Sequence, residues 1–409
     1  MYFGQNRGYE SVRGDDDSDD ERDYSRIRLP ASEAGSMMGS RDSSVSSVSI
    51  MASASMYPVI DLDWSVSPQK TYRKVMKHKW TWYDLQYIFL LAVAVFCLAI
   101  MDEPGPFLRV LYAALLAVAL VVPITSQFFF PVLPILAWAC LFYSCRFIPT
   151  SWRPSVWVSV LSNLERILYG ENLSNILSAY NHPILDVLAW LPYGIIHFVA
   201  PVLCSIAIFF YASPGTLSVW ARSFGYMNLI GVILELSFPT TPPWYEDKYG
   251  MIQATYGMAG SPGGLARIDE LFGHDIYTST FNASPLVFGA FPSLHSGCAV
   301  LEALFLSHVF PRLTPAFCTY VFWIWWSTMY LTHHYFIDLM GGASLSITVY
   351  LLAKWKFLPV RQPRKRNRFS YRYVQKPSYH ESDDDLYTDE ESDDDTLTPL
   401  LSPEMGETN

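Results

Sequence analysis

Charge is what this 409-residue sequence has least of. Only 16% of its residues are Asp, Glu, Lys or Arg, against 51% hydrophobic, where soluble domains typically carry about 25% charged residues. That excludes an ordinary soluble protein. The formal net charge of -10 does not undo this, because acidic blocks at 15–21 and 381–395 dominate it. Such like-charge runs, set in Ser-rich or Pro-bearing sequence, are expected to be solvated and disordered. No short apolar stretch begins the chain, so no cleavable signal peptide is expected. Cys97, Cys140, Cys145, Cys204, Cys298 and Cys318 all sit in apolar runs. They read as buried thiols, not as a disulfide framework or a metal site. With no set of side chains at metal-ligand spacing, no metal or other cofactor is expected, and no nucleic-acid partner.

What the sequence has in abundance is apolar runs. Lys70, Arg73, Lys74, Lys77 and Lys79 lead into Trp80, Trp82 and Tyr83. Basic residues before a first span mark the cytosolic side, and aromatics mark the interface. Spans follow at about 85–101, 107–122 and 128–145, then 184–211 with Pro192 and Pro201 inside it, then 217–238. Three more begin near His295, Thr314 and Phe336, the last reaching Ala353. The second and third are short for about 30 Å of hydrocarbon, which takes about 20 helical residues. The count is therefore about eight, or six if 107–145 does not fully cross. Between the third and fourth, Trp157, Val160, Leu161, Leu164, Ile167 and Leu168 fall on one helical face with Glu165 and Arg166 opposite, the pattern of a helix lying in the interface. Glu235, near the end of the fifth span, is expected to reach water.

Lys354, Lys356, Arg361, Arg364, Lys365, Arg366 and Arg368 then repeat the cytosolic mark. Basic flanks and an even count agree: both termini cytosolic, the 239–290 loop and everything at its level lumenal. The fold class is an all-α polytopic membrane protein. Its parts are a tail at 1–57, a multi-span catalytic membrane domain at 80–355 with the lumenal loop 239–290 inside it, and a basic then acidic tail at 356–409.

Two histidine clusters flank spans six and seven, and so meet on one side. The first is Phe-Pro-Ser-Leu-His-Ser-Gly around His295. The second carries His333, His334 and Asp338. His334 and Asp338 stand four apart, on one face of a helical turn. The carboxylate can hold one ring proton and aim the other nitrogen at an electrophile, while a second imidazole moves protons. His333 reads as a neighbour facing the other way. Pro292 and Ser293 precede a helix start, where free amides and the positive dipole end suit phosphate. Ser293 and Ser296 would add hydroxyl donors. A lone His at such a place is more often structural; three groups brought together by topology are not.

The residues 292–297 (Pro-Ser-Leu-His-Ser-Gly) and 333–339 (His-His-Tyr-Phe-Ile-Asp-Leu) resemble the second and third motifs of the type 2 phosphatidic acid phosphatase superfamily. Four segments resemble the fungal inositol phosphorylceramide synthase catalytic subunits more closely: 238–245 (Phe-Pro-Thr-Thr-Pro-Pro-Trp-Tyr), 260–269 (Gly-Ser-Pro-Gly-Gly-Leu-Ala-Arg-Ile-Asp), 289–298 and 325–334. The resemblance covers about 80–355 and neither tail. It implies a phosphatidic acid phosphatase type 2-like helical core and transfer of phosphoinositol from phosphatidylinositol to ceramide in two steps. His334, oriented by Asp338, would be the nucleophile and His295 the acid and then the base. It also implies a Golgi membrane, sensitivity to aureobasidin A and a small regulatory membrane subunit. One departure stands out. The superfamily's first motif, a Lys and an Arg-Pro that clamp phosphate, is missing in that form, and Trp244 follows Pro242-Pro243 where a base belongs. Arg267 and Lys248 are the candidates for the missing charge, Arg267 preferred for its bidentate fork; the rival reading makes Arg267 a structural partner of Asp269. A lipid phosphate phosphatase using water, and a membrane carrier relaying protons through the histidines, are the competing functions. Ser382 and Ser392 could take phosphate, and Asn172 and Asn282 open Asn-x-Ser sequons.

Overall fold

Backbone inside hydrocarbon has to satisfy its own hydrogen bonds, and an α-helix does so within one segment. The computed structural model describes residues 56–59, 62–375 and 377, and helices dominate them. In chain order these are α1 (Pro68–Lys77), α2 (Leu85–Ile100), α3 (Pro106–Val121), α4 (Pro123–Ser144), α5 (Val160–Tyr169), α6 (Leu173–Ser178), α7 (Pro183–Trp190), α8 (His197–Tyr211), α9 (Thr216–Ser237), α10 (Pro243–Tyr249), α11 (Ala266–Phe272), α12 (Ile276–Asn282), α13 (Leu294–Val309), α14 (Thr314–Tyr330) and α15 (Phe336–Lys356). A π-helical turn, Leu191–Ile196, joins α7 to α8 through Pro192. The acidic runs, Ser382 and Ser392 lie outside the described residues.

Five continuous helical segments are long and apolar enough to cross a bilayer: Trp82–Ile100, Pro123–Phe147, Pro183–Tyr211, Thr216–Ser237 and Phe336–Lys356. The chain is a multi-pass membrane protein. The other three helices read as spans, α3, α13 and α14, have 16, 16 and 17 residues. At a 1.5 Å rise they are about 24–26 Å long, short of the ~30 Å hydrocarbon thickness. Of the runs read as spans, five are thus of full length and three fall short.

Lipid tails are as apolar as leucine, so helices in a membrane adhere by close packing, and small residues permit it. α13 is the hub, packed against α8, α9, α14 and α15 around Met227, Cys298, Leu301, Phe305 and Tyr350. Two glycines set how near the helices come. A Cβ at Gly225 would collide with the Pro134–Ile135 backbone of α4, and one at Gly342 with the Ser293 carbonyl. The second contact locks the start of α15 against the start of α13.

Three sequence expectations need correction. Glu235 does not reach water: it is 4% exposed, because the loop after α9 folds back over it and brings Gly289 against its carboxyl carbon. Asn172, which opens a sequon, is not a surface residue: it is 3% exposed and caps α6, its side chain accepting from the Asn175 amide. The C-terminal tail does not begin at 356. Leu358 and Tyr371 are buried, Arg361 Nε donates to the Val309 carbonyl at 3.1 Å, and β2 (Tyr373–Gln375) pairs antiparallel with β1 (Met56–Pro58) in the register Tyr57 to Val374. Charge misled the reading there; the guanidinium of Arg368 sits 4.7 Å over the Phe209 ring and long basic stems pack on apolar surface.

This moves the trimming boundary. A chain of residues 51–377 is expected to keep specific activity in detergent within about twofold, since what it loses is acidic or Ser-rich sequence with little apolar surface to bury. A chain of 60–368, which loses both strands, is expected to melt at lower temperature. Equal melting temperatures for the two would show that the sheet contributes nothing.

Candidate active site

The N-terminal ends of α13 and α15 meet, and each presents what the other needs. Ser293 caps α13, its Oγ accepting from the Ser296 amide at 3.3 Å, while the Ser293 amide donates to the Asp338 carbonyl at 3.0 Å. Ser296 Oγ donates to the Leu339 carbonyl at 2.7 Å and accepts from Trp325 Nε1 at 2.8 Å. Both hydroxyls are thus part of the joint between the helices. Ser296 has committed its proton; Ser293 has not. The Gly297 amide bonds back to the Ser293 carbonyl. Of the first four amides of α13, which no helix can satisfy internally, those of Leu294 and His295 remain unclaimed among the described residues.

The second cluster sits on a tight loop between α14 and α15. Thr332 has φ 61°, the one non-glycine residue in the left-handed region among those described. For a β-branched residue that conformation costs on the order of 1–3 kcal/mol and marks functional sites. The loop is held in it from several sides. Thr328 carbonyl accepts from the amides of His333 and His334, Thr332 carbonyl from Trp244, and Leu331 carbonyl from Gly264. The two segments 238–245 and 260–269 therefore act as braces for the histidine loop.

On this frame the structure brings three of the sequence candidates together. His334 Nδ1 lies 3.1 Å from Asp338 Oδ2, and His334 Nε2 lies 3.1 Å from His295 Nδ1. Asp338 is fully buried and His334 6% exposed. A buried carboxylate accepts only, so it selects the Nδ1–H tautomer of His334 and leaves a lone pair on Nε2. His333 turns away, Nε2 at 3.0 Å from the Pro262 carbonyl, and stacks on Phe281 and Tyr193. Tyr193 lies between His333 and His295, its ring centroid 4.5 Å from that of His295. It comes from the π-helical turn, a feature common at functional sites.

Two candidates lie elsewhere. Lys248 is exposed and stands over the Tyr249 ring at 5.1 Å. Arg267 Nε donates to Asp186 Oδ1 at 2.8 Å, and Asp186 also accepts from Tyr330 OH at 2.9 Å. The guanidinium is thus tied beneath the histidine loop and partly neutralised there. Its partner is Asp186 of α7, not Asp269. Burial would raise the Asp269 carboxyl, but bonds from the Thr278 and Tyr277 amides and from His274 outweigh it and hold the group below the ordinary carboxylate range.

Sequence reasoning missed Glu165. Its place on a polar stripe suggested solvent, yet it is fully buried and accepts the first two amides of α15, Phe336 N to Oε1 at 3.2 Å and Ile337 N to Oε2 at 3.1 Å. Burial pushes its carboxyl above the ordinary range, against those two bonds. Leu161 and Ser162 share this inward face, while Leu164, Ile167 and Leu168 point outward. Glu246 was missed too. It accepts from Ser162 Oγ, Arg166 and Tyr335 OH, joining α5, α10 and the histidine loop.

The chain is similar along most of its length to known proteins. The PAP2 superfamily pattern matches residues 159–352. The inositol phosphorylceramide synthase catalytic subunit of Schizosaccharomyces pombe is 55% identical over 313 residues, 76% of this chain and 74% of that one. The corresponding subunit of Saccharomyces cerevisiae is 46% identical over 327 residues, 80% of this chain and 81% of that one. A phosphoinositol dihydroceramide synthase of Bacteroides thetaiotaomicron is 28% identical over 232 residues, 53% of this chain and 73% of that one.

Proposed function

The chain belongs to the inositol phosphorylceramide synthases of the PAP2 superfamily, and we propose that it moves phosphoinositol from phosphatidylinositol to a ceramide hydroxyl through a covalent intermediate on His334. The observation that carries this reading is the chain Asp338, His334, His295, each link 3.1 Å. With Asp338 holding Nδ1–H, the Nε2 lone pair of His334 attacks phosphorus and the bond from phosphorus to the diacylglycerol oxygen breaks. His295 gives that oxygen its proton, and diacylglycerol leaves. In the second half His295 takes the proton of the ceramide hydroxyl, the hydroxyl oxygen attacks phosphorus, and the P–N bond breaks. One imidazole serves as acid and then as base.

The resting contact between His295 and His334 has a consequence. The lone pair that must attack already accepts the His295 proton, so substrate phosphorus has to enter between the two rings. That leaves His295 beside the leaving oxygen. The unclaimed amides of Leu294 and His295 and the free proton of Ser293 face the same helix end, where a phosphate gains from the dipole; Ser296 holds the joint behind them. Arg267 and Lys248 remain the candidates for further phosphate contacts, Arg267 through release from Asp186. Basic residues at 70–79 and 354–368 support a cytosolic placement for both termini and a lumenal one for the histidines. A Golgi membrane, a small regulatory membrane subunit and inhibition by aureobasidin A complete the reading.

A phosphatase would pass the same intermediate to water, and a carrier would form none. The test is the first half-reaction alone. Full-length protein given head-group-labelled phosphatidylinositol without ceramide is expected to release diacylglycerol and keep label in an acid-labile, base-stable bond. Added ceramide should discharge that label into a lipid, and His295→Ala should slow both halves. Diacylglycerol release that strictly requires ceramide, with no label trapped on quenching, would overturn the covalent route. Discharge of label as free inositol phosphate despite saturating ceramide would favour the phosphatase.

A further inference from the structure

A cavity of about 2070 Å³ lies between α2, α3, α4, α9 and α15. Ligand pockets for small molecules run to roughly 300–1,000 Å³, so this one suits something larger. None of the residues proposed for catalysis lines it. On α15 its lining runs from Val349 to Lys356, and so begins 11 positions from Asp338, about 16 Å along the helix. Its walls are mostly aliphatic and aromatic, as for acyl chains.

Of the cations in the lining, Lys74 pairs with Asp63 and Arg109 donates to the Leu98 and Met101 carbonyls, but another does not fit an apolar groove. Arg222, in the second turn of α9, lines the cavity on the same face as Val219 and Tyr226. It makes no hydrogen bond or ion pair with the described residues. The acids that share the lining are already matched: Asp63 by Lys70 and Lys74, Asp84 by Thr81 and His78. Lys356 adds a second cation, its ammonium 3.9 Å over the Tyr83 ring. A charge within a membrane helix is costly unless something compensates it, and is a mark of function. Basic pockets between helices are sites for anionic lipid head groups, and a guanidinium grips phosphate with two parallel bonds.

We infer that this cavity is a second lipid site, in which Arg222 and Lys356 hold the phosphate of an anionic phospholipid of the leaflet opposite the histidines while its chains fill the groove along α4. The lipid is not a reactant there. It gives Arg222 a counter-charge and wedges α2 and α3 against α9. The inference stands apart from the phospho-histidine reading, since no catalytic group takes part.

The test uses full-length protein, stripped of lipid in neutral detergent and given equal amounts of dioleoyl phosphatidylserine and dioleoyl phosphatidylcholine, with bound lipid counted by native mass spectrometry. Phosphatidylserine is chosen because it is anionic yet carries no inositol. Wild type and His334→Ala are both expected to prefer it by about tenfold. Arg222→Gln should bring the ratio close to one, and Arg222→Lys should keep most of it. Leu116→Trp, which fills the groove, should lower occupancy by both lipids without changing the ratio. Diacylglycerol release by Arg222→Gln should continue. A wild type without preference, an Arg222→Gln protein that retains it, or undiminished occupancy in Leu116→Trp would each overturn the site; the first would favour an uncharged occupant such as a partner's helix.

Discussion

His334→Ala is expected to lower turnover of phosphatidylinositol to phosphosphingolipid by about 10⁴-fold or more, the scale seen when a covalent nucleophile is removed. No neighbour can stand in. His295 is 3.1 Å away but has no carboxylate among the described residues to fix its tautomer, and His333 spends Nε2 on the Pro262 carbonyl. The substitution also strands the buried Asp338 carboxyl, at a stability cost of about 1–3 kcal/mol. Melting temperature must therefore be read beside activity. The fold should survive, because the helix joint rests on Ser293, Ser296 and Gly342 and not on the imidazole. A folded His334→Ala protein with more than about a tenth of normal turnover would end its role as nucleophile.

Asp338→Asn is the second large effect, and the more discriminating one. The side chain keeps its size and its place on α15. What changes is the proton. A carboxylate can only accept from Nδ1, whereas the amide nitrogen of Asn donates and selects the tautomer with the proton on Nε2, the atom that has to attack. Turnover is expected to fall about 10³- to 10⁴-fold, the scale of such a tautomer error, with little change in KM for phosphatidylinositol. Trapped label in the half-reaction should fall in parallel. Normal turnover in Asp338→Asn would make the carboxylate a structural partner only.

Much of the fold was legible because hydrocarbon imposes so few solutions. Each apolar run had to be a helix, and the helix limits of α2, α9 and α15 fall within a residue or two of those read from the sequence, apart from the last turn of α15. What could not be read was depth. α13 and α14 are flanked by the same signals as full spans, but their length of 16 or 17 residues leaves bilayer coverage to their neighbours. The central site was legible for a different reason: His334 and Asp338 are one turn apart, and two intervening runs return His295 to their side. Glu165 was illegible because the amides it serves lie 171 and 172 positions away, and nothing local distinguishes a carboxylate that caps a distant helix from one that faces water. Arg267 failed similarly. Asp269, two positions on, was the visible partner, and Asp186, 81 positions back, was not. At 356–375 a basic composition hid the apolar anchors Leu358 and Tyr371 between the charges.

Glu165 also ties two reference planes together. α5 shows Leu164, Ile167 and Leu168 to its surroundings, an apolar stripe suited to the boundary between head groups and acyl chains. On its other side the Glu165 carboxylate grips the first amides of α15, those of Phe336 and Ile337, which lie between His334 and Asp338 in the chain. The proposed nucleophile is therefore levelled against the bilayer surface itself. Both proposed substrates carry their reacting atoms at a fixed distance below that surface, phosphorus in one and a hydroxyl in the other. A gauge of this kind lets the enzyme meet each lipid at its own depth, so that neither has to be lifted out of the membrane to react.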